Sequence, residues 1–161
     1  MLMGVTMVEA TAKKPGASGS GNDGDNIISV LTAEHRVMLG LYHDIRDAVA
    51  ARKYGAVPKL ATQLHDRLHN HLSVEHLKLY TELRRRLENR DDEKLRMIHD
   101  LQREMYSIGR GAVDFIRQAH SVELTEASAG KFRTDLEGVG TVLVQRIRKE
   151  EEELYPLYES L

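Results

Sequence analysis

From Asn26 onward, apolar residues recur three and four positions apart, the spacing that lines one face of an α-helix. No segment reads as a strand. The pattern predicts four long helices, at about 26–54, 58–89, 91–121 and 127–158. Asp25 or Asn26 is a good N-cap, "YGAVP" breaks the first helix, and Pro58 suits the first turn of the second. "NRDDE" supplies a turn and then an acidic first turn for the third helix. The fourth starts between Thr125 and Gly130, with Gly130, Gly138 and Gly140 weakening its first half. Long helices joined by short connections imply an all-α fold, an antiparallel up-and-down four-helix bundle over residues 26–161. Residues 1–25, with "KKPGASGSGNDGD", read as a flexible tail that cannot bury a core.

Polar residues interrupt the apolar stripes. The first helix reads Ile27, Leu31, His35, Met38, Tyr42, Ile45, Val49, and the second Leu60, Leu64, Leu68, His71, Glu75, Leu79. The third gives Leu95, His99, Gln102, Met105, Ala112, Ile116. The fourth gives Phe132, Leu136, Val139, Leu143, Arg146, Glu150, Leu154, Leu157. Each helix thus places ionisable groups inward, where isolated charges are costly and must neutralise, pair or bind a metal. His71 with Glu75, and Arg146 with Glu150, are four apart, so each pair shares a helix face. His65, His69 and His76 fall on a flank of the second helix, and His43 and His120 are also off their stripes.

Composition narrows the chemistry. Without cysteine there is no disulfide, thiolate metal site or cysteine nucleophile, and the absence fits a reducing cytoplasm. A formal charge of -2 gives no basic excess for direct nucleic-acid binding. No apolar run is long enough to span a membrane, and the N-terminus lacks the order of a signal peptide. "GRG" at 109–111 follows no strand and precedes no Lys-Ser/Thr, so it is no phosphate loop; it suits close helix approach or a kink.

The ordered series His35 in "AEHRVML", His71 and Glu75 in "HLSVE", His99 in "MIHDL", and Glu150 in "RIRKEEEELYP" resembles the hemerythrin-like (HHE cation-binding) family. That resemblance implies a four-helix bundle holding a non-heme di-iron centre. One iron takes the histidines of the first two helices, the other those of the last two, and the two carboxylates bridge them. The family's fourth-helix histidine falls at Arg146, whose guanidinium stays protonated and cannot ligate iron. Three arrangements follow. A single metal is held by His35, His71, Glu75 and Glu150; or Arg146 replaces metal and bonds Glu75 and Glu150; or Arg146 turns outward. Tyr42, Tyr80 and Tyr106 are candidate oxygen ligands.

A shorter similarity points elsewhere. Leu72, Ser73, His76 and Tyr80, together with Arg146 and Glu150, resemble segments of the Rsd/AlgQ regulators, which bind a sigma factor. On that reading His76, Tyr80, Arg84, Arg85 and Arg86 form a partner surface for a sigma factor or signalling protein. The leading expectation is a cytoplasmic regulatory or sensory protein that binds one or two irons and responds to O2, NO or peroxide. The alternative is a metal-free bundle acting by protein contact. An independent peroxidase or catalase is the third reading, weakened by Arg146.

Overall fold

A computed structural model describes residues 23–88, 90–121 and 123–161. Among these residues there is no strand, and the described residues form four helical rods. The first is α1 (Asp23–Ala50). The second runs through α2 (Val57–Val74), a π-helical segment (Glu75–Tyr80) and α3 (Thr81–Leu87). The third is α4 (Asp92–Ser121). The fourth runs through α5 (Glu126–Lys149), a second π-helical segment (Glu150–Leu154) and α6 (Tyr155–Ser160). Each rod packs on its sequence neighbour, and α5 closes the ring against α1. Apart from Asp23–Asp25, which belong to α1, the expected tail lies outside the described residues. No helix among the described residues is long and apolar enough to cross a membrane.

Local chemistry sets the rod ends. Arg52 has φ 58, a left-handed conformation that stops a helix. Its amide donates to the Val49 carbonyl at 3.1 Å and the Lys53 amide to that of Ala48 at 2.8 Å, the paired bonds of a Schellman motif. The first rod therefore stops at Ala50, short of the expected Tyr54, and Tyr54–Ala56 forms a 3₁₀ turn instead. At the start of the fourth rod, the Thr125 amide donates to Ser128 Oγ at 2.9 Å.

The core has two apolar blocks. One joins Met38, Ile45, Leu64, Leu68, Ile116 and Leu136; the other joins Leu31, Leu79, Leu83, Ile98, Leu154 and Tyr158. Between them along the rods lie the buried polar residues His35, His71, Glu75, Arg146 and Glu150. Each fully buried aliphatic side chain in the blocks contributes about 1.5–3 kcal/mol. Such gains can carry a central polar layer only if its members satisfy one another. Glycine allows two close approaches. A Cβ on Gly140 would run into the Tyr42 ring, and one on Gly109 would lie 2.8 Å from Leu72 Cδ1. "GRG" thus brings α4 close to α2 at Gly109.

Candidate metal centre

The polar layer is built by three rods. His35 comes from α1, His71 and Glu75 from the second rod, and Arg146 and Glu150 from the fourth; all are 1–2% exposed. The Nε2 atoms of His35 and His71 lie 3.2 Å apart. Glu150 Oε2 is 2.9 Å from His35 Nε2 and 4.0 Å from His71 Nε2. These three residues form a group able to hold a metal ion.

The outer ring nitrogens fix the chemistry of the inner ones. His35 Nδ1 lies 2.8 Å from Glu151 Oε1, and His71 Nδ1 lies 3.1 Å from Glu34 Oε2. A carboxylate only accepts, so each Nδ1 carries the proton and donates it. Each neutral ring then aims an Nε2 lone pair inward. Two imidazole lone pairs and a carboxylate oxygen converge on one point, an arrangement that requires a cation. A metal ion fits, and carboxylate-supported histidines are the usual ligand form. Without metal, a proton on His35 fills the role. Burial pulls its pKa down, but the hydrogen bonds to Glu150 and Glu151 outweigh that and raise it overall. Burial, and then the His35 charge, lower the pKa of His71. The Tyr155 hydroxyl lies 3.3 Å from His35 Nε2, its ring stacked on that imidazole.

The other side of the layer has its own cation. Arg146 Nε donates to Glu150 Oε1 at 2.6 Å, and Nη2 donates to the Tyr80 hydroxyl at 2.7 Å. Arg146 is buried, which overturns the outward arrangement, and it bonds Glu150 but not Glu75, so the expected pairing with both carboxylates is met at Glu150 alone. Glu75 has neither oxygen hydrogen-bonded. Burial, and then the nearby Glu150 charge, push its pKa well above the usual carboxylate range. Glu75 is thus a buried carboxyl with free acceptor capacity, one turn beyond His71.

His99 does not join this layer. It is exposed, because α4 buries Ile98, Leu101, Met105, Ala112 and Ile116 instead. That apolar set has the same helical spacing as the stripe expected through His99 and Gln102, and burying it costs no desolvated charge. Gln102 bonds His76 near the surface, its Nε2 2.7 Å from His76 Nδ1. Tyr80 is also not a surface residue: it is 1% exposed, with its hydroxyl on Arg146. The π-helical turn adds a residue to the second rod, so Leu79 and Tyr80 both point inward. Of the rest of the proposed partner surface, His76, Arg84 and Arg85 are exposed and Arg86 is half-buried. Arg85 and Arg86 pair with Glu82, and Arg84 bonds Gln102. Among the expected tyrosines, Tyr42 packs against Gly140 and Tyr106 is exposed.

Sequence reasoning missed Glu34, Glu151 and Tyr155. Glu34 and Glu151 lie just off the apolar stripes, each beside an inward residue, and that adjacency is the available signal. Tyr155 follows Leu154 as Tyr80 follows Leu79, so the repeated Leu-Tyr pair could have drawn notice.

Comparison with known proteins bears on this centre. The model of a family described as the hemerythrin HHE cation-binding domain matches residues 26–158. No curated protein and no solved structure matches the chain.

Proposed function

The chain belongs to the hemerythrin HHE cation-binding family, and on that premise we propose a regulatory or sensory protein that binds a single non-heme iron. His35, His71 and Glu150 would hold the ion, with Glu75 as a further carboxylate. Glu34 and Glu151 keep both imidazoles in the ligating tautomer. Arg146 stands at the position of the family's fourth-helix histidine and supplies a fixed positive charge in place of a second ion. Iron, when bound, supplies a redox-active Lewis-acid centre suited to O2, NO or peroxide as the signal.

One observation carries this reading: three buried acceptors converge while the outer nitrogens of both imidazoles are already committed. Metal analysis of protein from iron-supplemented cells tests it. The expected content is about one iron per chain, lost in His71→Ala. Metal-free wild-type protein, or two irons per chain, would rule it out.

A second reading is favoured by the Arg146–Glu150–Tyr80 connection, which holds its side of the layer without metal. The bundle would then be a metal-free regulator docking a sigma factor or signalling protein near Arg84–Arg86. In that case a chelator leaves the melting temperature unchanged and changes at Arg84 and Arg85 abolish partner binding.

A further inference from the structure

Ser107–Ala112, "SIGRGA", gives no ligand to the polar layer, yet it lies beside it. Between this part of α4 and α5 is a cavity of about 340 Å³. Met38, Leu68, Met105 and Leu143 line it, and its inner end is formed by His35, His71, Arg146 and Glu150. Gly111 and Gly138 also line it, and both are exposed. A Cβ added at either would meet nothing within 4 Å. Small residues therefore leave this edge of the cavity open to solvent.

Size and chemistry indicate an occupant. A water molecule takes roughly 30 Å³, and a diatomic gas needs little more. Cavities for organic ligands start at about 300 Å³. The walls suit an alkyl or aryl body. At the inner end Arg146, 2% exposed, has an Nη1 donor with no hydrogen-bond partner. A buried donor left unpaired is costly, so an occupant that brings an acceptor is favoured. The guanidinium charge is already matched by Glu150 at 2.6 Å. An anionic head would meet Glu150, so an uncharged oxygen suffices.

We propose that this cavity binds a small organic molecule with an alkyl or aryl body and one uncharged oxygen acceptor, which takes the free N–H of Arg146. Binding does not require iron, so it stands or falls separately from the metal assignment. The ligand's oxygen would lie beside His35 and His71, which links occupancy to the metal centre.

The test titrates 1-octanol into metal-free full-length protein and follows amide shifts by ¹⁵N NMR. Saturable shifts are expected at Gly109, Gly111 and Gly138. Gly138→Leu puts a side chain into open space and favours helix, so it should fold while weakening binding on the order of tenfold or more. Gly130→Leu, also into open space but not lining the cavity, should leave binding unchanged. Arg146→Lys, with its fold checked by circular dichroism, should weaken binding by removing the Nη1 donor. The proposal fails if wild-type shifts do not saturate, if Gly138→Leu binds like wild type, or if octanoate binds more tightly than 1-octanol.

Discussion

Residues 71–80 and 146–155 are two versions of one device. Each begins with a cationic or cation-binding residue followed four positions later by a buried glutamate. At that glutamate each rod leaves α-helical winding for a π-helical segment, and each buries a consecutive Leu-Tyr pair. In ordinary α-winding, neighbours in sequence point about 100° apart; the wider turn brings both into the interior. The hydroxyls then reach across the bundle, Tyr80 to Arg146 and Tyr155 to His35. The versions differ at one decisive position. His71 presents a lone pair and must receive a cation, whereas Arg146 brings one covalently. Near-identical backbone settings can thus hold a residue that accepts a cation or one that is a cation.

Four experiments test that comparison. The largest effect is expected from His71→Arg, which makes both versions cationic. Metal content should fall from about one equivalent to none, measured by elemental analysis on protein with a native circular dichroism spectrum. Retained metal would show that the versions are not equivalent in this way. The reverse change, Arg146→His, should still give about one ion per chain, because His99 is exposed and α4 offers no buried ligand among its described residues. It should also cost the metal-free protein about 3 kcal/mol in urea unfolding, since Glu150 keeps His35 but loses the fixed charge of Arg146 from its other oxygen. A two-iron optical spectrum would instead make Arg146 the sole obstacle to a second ion.

Smaller effects come from the outer contacts. Glu34→Gln and Glu151→Gln should each weaken metal binding about tenfold in a chelator competition, by loosening one imidazole. Unchanged affinity would mean that the bundle alone orients the rings. The tyrosines should differ least. Tyr80→Phe strips a 2.7 Å bond from the buried guanidinium and should cost about 1–3 kcal/mol in metal-free protein. Tyr155→Phe removes a 3.3 Å contact and should cost less than about 1 kcal/mol. Equal losses would undo the distinction between the arginine side and the histidine side of the layer.

The bundle was legible because its rods are long and their apolar spacing regular. The inward placement of His35, His71, Glu75, Arg146 and Glu150 came from the same spacing. His99 was misplaced because two stripes one residue apart, through His99 and Gln102 or through Ile98 and Leu101, both join Leu95 to Met105 with helical spacing. Only the cost of burying His99 and Gln102 separates them, and that cost depends on what the other rods place opposite. Tyr80 was assigned to a surface because a constant period cannot register a π-helical turn. Glu34 and Glu151 were invisible to a search of stripes. They sit at the margin of the core, partly exposed, and act on a ring carried by another rod.

The outer carboxylates have a consequence for how the centre comes into being. Glu34, beside His35, holds His71; Glu151, beside Glu150, holds His35. No rod therefore carries both a histidine and the group that orients it. The first two rods alone own both imidazoles, but only His71 would be aligned. His35 waits for the last rod to dock. If a metal binds here as proposed, ligation in the aligned geometry would be a late event of maturation, after the chain has closed on itself, and an isolated N-terminal half would be a poor acceptor even though it holds both histidines.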